Sequence, residues 1–199
     1  MTGWYKVKKI YVGSRQVRPK RFEYSYDFRN KTATQLANDG WNNTSWITLD
    51  GNWITASSWH QCLNTVSWLW DAVAKAKKIT LEMQSYKTSS SGWISWIAIA
   101  KDNNVTAETW CYYDYNNFAV LANWWELYKP SYSTSSWTKN ITCVYDLVNK
   151  TYSWNFEWGI GAFSWTLTDT QIAGIKTCWI VRIVVQTSSY IQTIKVIVE

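Results

Sequence analysis

The chain has 199 residues, 47% hydrophobic and 17% charged, which suits one folded domain and excludes an intrinsically disordered protein. Its four cysteines and single histidine are scattered without metal-ligand spacing, so we expect no metal site and no cofactor. No apolar run is long enough for the core of a signal peptide or for a membrane-spanning helix, so neither a signal peptide nor membrane insertion is expected.

The formal net charge of +6 is concentrated at the N-terminus. Residues 1–31 contain nine basic and two acidic side chains, so the remainder of the chain carries a net charge of −1. Such asymmetry is typical of an arm that meets an acidic partner or a nucleic acid. The alternative interpretation is a solvated edge whose basic side chains prevent aggregation.

The first predicted element is a hairpin at residues 8–18, where Gly13 and Ser14 separate two short β-rich runs. Its apolar strip is too thin for an independent unit. Residues 1–21 are therefore predicted to form a basic hairpin arm that docks on its own domain or on a neighbouring subunit. The basic residues of this arm are Lys6, Lys8, Lys9, Arg15, Arg18, Lys20 and Arg21.

Three patterns follow the arm. Residues 22–28 alternate aromatic and polar side chains, which predicts a strand. Residues 30–45 are rich in Asn, Thr, Asp and Gly, which predicts a loop that crosses between sheets. Asp50-Gly51 predicts a two-residue hairpin turn between β-rich runs. The facing pairs would then be Thr48 with Trp53 and Ile47 with Ile54.

One short helix is predicted within residues 67–78, because Ala and Lys favour it and neither Gly nor Pro interrupts it. The segment 168–171 predicts one capped turn. Further strands are predicted at residues 79–86, 93–101, 109–115, 118–124, 138–147, 151–158, 164–167, 177–186 and 190–198.

The clearest hairpin spans residues 138–158 about a two-residue turn at Asn149-Lys150. One face of this ribbon is apolar and aromatic and the other is polar, so it must pack on a second layer. Since many short strands recur along the chain, the predicted fold class is all-β, an antiparallel two-sheet sandwich. The predicted facing pairs of the hairpin are Leu147 with Tyr152, Tyr145 with Trp154, Cys143 with Phe156 and Ile141 with Trp158.

The order of these patterns resembles the concanavalin A-like jelly rolls, the group of lectins, glucanases and laminin-G-like domains. The resemblance covers residues 22–199 and rests on FEYSYDF, the DGW loop, ITLEMQ, ITCVYDLVNKTYSW, DTQIAGI and two long closing strands. It implies two curved antiparallel sheets with ligands on one face or at the loop rim. The N-terminal KIYVGSRQVRP resembles a hairpin that precedes such domains in bacteriophage virion proteins, especially tail-fibre-like and decoration proteins.

Enzymatic activity has no positive support in the sequence. The glucanase branch carries acidic residues at alternating positions of one strand, whereas the matching region here offers only Glu82. Glu157 is remote from Glu82 in sequence, so these two carboxylates would form a catalytic pair only if the fold brought them together. A Cys62–His60 pair is conceivable, because the two residues would share one face of an extended strand. The oxygen-bearing Asp114, Asn116 and Asn117 lack the calcium spacing of legume lectins and are better explained by a hairpin turn.

Residues 110–125 mix aromatic rings with polar groups that can bind sugars by stacking and hydrogen bonding. The alternative is that these rings pack against the second sheet or a neighbouring subunit. The candidate glycan-binding residues are Trp110, Tyr112, Asp114, Asn123, Trp124 and Trp125.

Two functions therefore remain open, and a glycoside hydrolase is a less favoured third. The first is a non-enzymatic bacteriophage virion protein whose lectin-like domain attaches to a glycan on a host surface. The second is a capsid decoration or fibre subunit that makes only protein–protein contacts. Both imply localisation on the virion, contact with other virion subunits through the arm, and a homo-oligomer; neither involves nucleic acid or a membrane.

Overall fold

Two antiparallel β-sheets form the protein, in a computed structural model that describes residues 21–87, 95–101, 107–113, 118–122, 125–128, 139–156 and 163–199. The predicted all-β, two-sheet jelly roll is confirmed. Its strands are β1 (Phe22–Asp27), β2 (Trp41–Asn42), β3 (Ile47–Leu49), β4 (Ile54–Ala56), β5 (His60–Thr65), β6 (Lys78–Lys87), β7 (Ser95–Ala100), β8 (Ala107–Tyr113), β9 (Phe118–Ala122), β10 (Trp125–Tyr128), β11 (Lys139–Asp146), β12 (Thr151–Phe156), β13 (Phe163–Thr166), β14 (Ile180–Val185) and β15 (Ser189–Val198).

Sheet I has the order β13-β12-β11-β6-β15-β4-β3, with β1 also paired to β15. Sheet II has the order β10-β9-β8-β7-β14-β5-β2. The chain passes repeatedly from one sheet to the other, so strands that are neighbours in a sheet are often distant in sequence. The first and last strands, β1 and β15, lie side by side in sheet I.

The main hydrophobic core lies between the sheets and takes alternate residues from each strand. In sheet II these inward residues include Ile97, Ile99 and Ile183, and in sheet I they include Leu81 and Val196, all fully buried. Aromatic side chains fill the larger spaces at the margins of this core. The fully buried aromatic residues are Phe28, Trp41, Tyr145 and Tyr152.

The hairpin of β11 and β12 has the predicted faces but a different register. Tyr145 is paired with Tyr152 and Asp146 with Thr151, so the turn comprises the four residues 147–150 and the predicted pairs are wrong by two residues. The Asp146 carboxylate accepts hydrogen bonds from the amides of Val148 and Asn149, which holds the longer turn. Because side chains alternate with period two, a shift of two residues leaves Tyr145 and Tyr152 on their predicted face, and both are buried.

The hairpin of β3 and β4 shows the same correction. Ile47 is paired with Ala56 and Leu49 with Ile54, so Ile47 does not face Ile54 and Thr48 does not face Trp53. The Asp50 carboxylate accepts hydrogen bonds from the amides of Asn52 and Trp53, and Gly51 adopts a φ of +87° inside the turn. An aspartate that bonds to the amides two and three residues ahead therefore sets four-residue turns in both hairpins.

Short α-helices lie at three crossings between the sheets. The predicted helix is α2 (Leu69–Ala74), and the predicted capped turn at 168–171 begins α3 (Asp169–Ile175). The segment 30–45 was predicted as a loop, which is wrong, because it contains α1 (Ala33–Asn38). Both α1 and α3 begin with a capping box, in which a threonine hydroxyl and a glutamine side chain bond each other's backbone amides, at Thr32–Gln35 and Thr168–Gln171.

The predicted basic arm lies outside the described residues, except for Arg21. Arg21 directly precedes β1 and forms an ion pair with Glu23, with 3.1 Å between its Nη2 and Oε2. The division into an arm of residues 1–21 and a domain of residues 22–199 stays a prediction. Within the described ranges, no helix is long and apolar enough to cross a membrane.

Candidate functional site

The face of sheet II that points away from sheet I is apolar at its centre. Its residues from the central strands form a second hydrophobic cluster, separate from the main core, in which every member is at least nine-tenths buried. This outer face of sheet II is therefore covered over much of its described area. The members of the cluster are Leu63, Trp96, Ala98, Ala100, Ile180 and Val184.

A basic residue, Arg182, lies at the middle of this covered face. The register places it between Leu63 of β5 and Ala98 of β7, and its side chain is fully buried. A buried guanidinium is stable in a protein only when other groups pair with it. Arg182 therefore belongs to the structure of the covered face rather than to a surface that is open to a ligand.

One end of the same face reaches solvent. Trp59, which precedes β5, is 40% exposed and packs edge-on against Trp96, with 6.3 Å between the ring centroids. Gln61 lies on the same face of β5 as Leu63. Its direct partner is Val184 of β14, and Val184 pairs in turn with Trp96 of β7. The Gln61 Oε1 atom is buried and accepts no hydrogen bond from any described residue. Trp59, Gln61 and Trp96 are called the aromatic rim below.

The register relates part of the predicted glycan site to this rim. Position 112 of β8 is the direct partner of Trp96, and position 110 is the partner of Ala98. Trp110 and Tyr112 thus occupy the alternate positions that belong to the outer face of sheet II, whereas Trp125 lies in β10 opposite Ala122. The other predicted residues, Asp114, Asn123 and Trp124, lie outside the described residues.

Sequence reasoning missed the contribution of β5 to this face. No strand is predicted from the sequence within residues 56–66, whereas β5 runs from His60 to Thr65. The alternation of Trp59, Gln61 and Leu63 on one face with His60 and Cys62 on the other was the available signal. It was obscured because β5 is short and follows two serines that favour a turn.

The His60–Cys62 pair does not have the geometry of a catalytic dyad. His60 Nε2 lies 2.6 Å from the Asn43 carbonyl oxygen, and the Cys62 thiol donates to the same oxygen at 3.6 Å. Burial raises the pKa of the Cys62 thiol to about 12, which disfavours the thiolate that a nucleophile requires. The two side chains instead fix the left-handed turn at Asn43, where φ is +62°.

Glu82 faces outward from sheet I, where the register brings it beside Lys195. Lys195 Nζ lies 3.6 Å from a Glu82 oxygen and 3.5 Å from a Glu23 oxygen, so one ammonium separates the two carboxylates. Glycoside hydrolysis requires one member of such a pair to hold a proton as the general acid. Lys195 lies between the two carboxylates, in the place that the scissile glycosidic bond would have to occupy. Glu157, the partner considered from the sequence, lies outside the described residues.

No group of three or more His, Cys, Asp or Glu side chains within the described ranges is close enough to hold a metal ion. The possible calcium cluster of Asp114, Asn116 and Asn117 lies outside those ranges. Cys62, Cys143 and Cys178 are buried.

Solved structures with the same architecture are lectins and related domains. Peanut lectin matches with a TM-score of 0.62 at 14% identity, over 89% of this chain and 97% of that chain. Arcelin-5, a lectin-like defence protein of Phaseolus vulgaris, matches with a TM-score of 0.62 at 6% identity, over 90% and 98%. A carbohydrate esterase of the Shiga toxin-encoding bacteriophage phi24B matches with a TM-score of 0.54 at 11% identity, over 88% and 100%.

These similarities define the class of fold. The chain has the jelly roll of concanavalin A-like lectins, as the sequence resemblance implied. No protein-family model and no curated protein matches the chain. At such low identities the shared feature is the arrangement of the sheets.

Proposed function

We propose that this protein is a non-enzymatic structural protein of a bacteriophage virion that attaches the particle to a glycan of the host surface. The proposed glycan site is the aromatic rim together with position 112 of β8, the direct partner of Trp96. The observation that carries this proposal is the buried Gln61 Oε1, which lacks a described donor and belongs to the residue two positions after the half-exposed Trp59.

The chemistry of the rim suits a sugar. An indole ring offers an apolar surface against which the C–H face of a pyranose stacks, and Trp96 holds the Trp59 ring in place. A buried acceptor without a donor destabilises the protein by about 1–3 kcal/mol, and a sugar hydroxyl would relieve that cost on binding. The same acceptor would disfavour an apolar ligand, since such a ligand leaves the oxygen unpaired.

The biological setting is supported by two separate features. The lectins among the solved structures share the fold, and the bacteriophage esterase shows that a phage protein can have this arrangement of sheets. The excess positive charge within residues 1–31 supports an arm that anchors the domain to other virion subunits. The protein would then reside on the virion as a homo-oligomer, with one glycan site in each copy.

A glycan array followed by calorimetry tests this proposal. The wild-type protein, displayed multivalently on an array of bacterial surface glycans, should retain at least one glycan, and Trp59→Ala should weaken that binding at least ten-fold, or about 1.4 kcal/mol. The control is Trp70→Ala, because Trp70 is 56% exposed on α2 and lies outside the rim. Retention of no glycan at high avidity would contradict the proposal.

Gln61→Leu separates a binding role from a structural one. Leucine keeps most of the side-chain volume and removes the buried oxygen, so the free energy of unfolding should stay the same or rise. Binding of the identified glycan should nevertheless weaken about ten-fold. If unfolding improves while the affinity is unchanged, Gln61 takes no part in binding.

A second candidate function is a capsid decoration or fibre subunit whose surfaces make only protein–protein contacts. The extensive burial of the outer face of sheet II favours it, because a covered face leaves little room for a ligand. This function predicts a stable oligomer that loses its assembly when residues 1–21 are removed, together with no retained glycan. Analytical ultracentrifugation of the full chain and of the truncated chain measures the first part directly.

A further inference from the structure

The outer face of sheet I carries a groove of about 450 Å³ that the glycan site on sheet II does not use. It crosses four adjacent strands in the order β11-β6-β15-β1. Since neighbouring strands lie about 4.8 Å apart, the groove is about 14 Å long in the direction across the strands. It is called the polar groove below.

Two rows of polar side chains line the polar groove. The pairing of the four strands places one residue of each strand in each row, on the outward face. The first row is Thr142, Glu82, Lys195 and Ser25, and the second row is Asn140, Gln84, Thr193 and Asp27.

The charges in the groove are compensated by charges beside them. Lys195 lies between Glu23 and Glu82 at 3.5 and 3.6 Å, and Arg29 Nε lies 2.9 and 3.0 Å from the two Asp27 oxygens. A cationic or anionic partner would therefore gain little from this face, because each charge already has an opposite charge in contact with it. This argues against the basic arm as the occupant.

The uncharged side chains of the groove can form hydrogen bonds to a ligand. Gln84, Thr142 and Thr193 offer hydroxyl and amide groups that both donate and accept. An open groove with alternating donors and acceptors and compensated charges matches a neutral, hydroxyl-rich chain. We propose that the polar groove is a second carbohydrate site, which binds an uncharged linear oligosaccharide across the strands of sheet I.

This site is independent of the aromatic rim. Alternation within a sheet and the main core between the sheets place the two surfaces on opposite sides of the sandwich. No aromatic ring belongs to either polar row, so a sugar has no ring to stack on in these rows and its affinity is low. Two sites on opposite faces would let one domain bridge two glycan chains, and avidity in an oligomer would compensate for the weak second site.

The test uses ¹H–¹⁵N NMR titration of the full chain with maltohexaose, cellohexaose and mannohexaose. At least one of these sugars should shift amide signals of β6, β11 and β15 in a saturable manner, and the apparent Kd should be the same at 50 mM and 500 mM salt. The double variant Thr142→Val and Thr193→Val keeps the branched shape of both side chains and removes both hydroxyls. It should weaken the binding at least ten-fold.

Two controls keep the result specific. Thr80→Val lies on β6 two residues before Glu82 and outside the groove, so it should leave the titration unchanged. Trp59→Ala should also leave it unchanged, so loss of the rim site and loss of the groove site are distinguishable. Equal shifts in the double variant and in wild type would overturn the proposal, as would the absence of shifts with all three sugars.

The basic arm provides the competing outcome. A synthetic peptide of residues 1–21 should not shift the groove signals of a chain that lacks those residues. If this peptide binds there with an affinity that falls steeply with salt, while the sugars do not bind, the groove is a docking site for the arm and the carbohydrate proposal is wrong.

Discussion

The outer faces of the two sheets differ most clearly in the surroundings of their central basic residues. Lys195 of sheet I lies between Ser25 and Glu82 with its side chain 32% exposed, whereas Arg182 of sheet II lies between Leu63 and Ala98 and is fully buried. Both residues occupy outward positions of inner strands. The side chains on the neighbouring strands therefore determine whether an outward-facing cation is exposed, as between polar neighbours, or buried, as between apolar ones.

The largest expected difference in the free energy of unfolding is between replacing Arg182 and replacing Lys195. Arg182→Ala should lower the free energy of unfolding by about 3–5 kcal/mol, because it leaves a cavity and deprives buried groups of their charge partner. Lys195→Ala should cost no more than about 1 kcal/mol, because exposed ion pairs contribute little. Urea unfolding followed by tryptophan fluorescence measures both. Equal losses in the two variants would show that the faces are not distinct.

A reciprocal pair of substitutions, one on each face, sharpens the same comparison. Ile180→Thr buries a hydroxyl and removes apolar volume in the covered face of sheet II, so it should cost about 2–4 kcal/mol. Thr193→Ile makes the reverse change in the polar groove and should stay within about 0.5 kcal/mol of wild type. Urea titrations of both variants give these values. A small effect of Ile180→Thr would mean that the face is wetter than its burial indicates.

Acid should destabilise sheet I, because hydrogen bonds lower the pKa values of two of its carboxylates. The amide of Asn149 is the main cause for Asp146, and the Arg29 side chain is the main cause for Asp27. A lowered folded-state pKa contributes stability above the unfolded pKa, near 3.8, and this contribution is lost as the pH falls through the folded value.

Asp146→Asn tests this smallest effect. It should cost about 1 kcal/mol at pH 7, because the turn loses a charged acceptor, and the difference from wild type should be smaller at pH 2. Asp71→Asn on α2 is the control, since its carboxylate makes no hydrogen bond to a described residue. Urea unfolding at the two pH values checks the prediction. A difference of the same size at pH 2 would assign the effect to turn geometry rather than to charge.

The sequence predicted the faces of the hairpins better than their registers. Alternation of rings and polar groups placed Tyr145 and Tyr152 on the apolar face, and both are buried. The sequence pattern did not reveal that the Asp146 carboxylate accepts a hydrogen bond from the Asn149 amide and so forms a four-residue turn. Asn149-Lys150 also suits a two-residue turn. The capping box of α1 was visible as Thr32 and Gln35, but the surrounding polar residues masked it.

The candidate sites were less accessible to sequence reasoning. Trp110 and Tyr112 were chosen for their mixture of ring and polar neighbours, and the register places them beside Ala98 and Trp96 on the outer face of sheet II. Their place on the same face of the sheet as Gln61 was not predictable, because β5 and β8 are joined only through β14 and β7.

The sequence alone determined the class of fold, the alternating faces of most strands and the positions of two of the short helices, because these depend on residues a few positions apart. Only the tertiary structure decided which outward face is covered and which polar residues form rows across sheet I. Those features depend on the pairing of strands that are remote in sequence, and no local pattern encodes the order in which such strands meet.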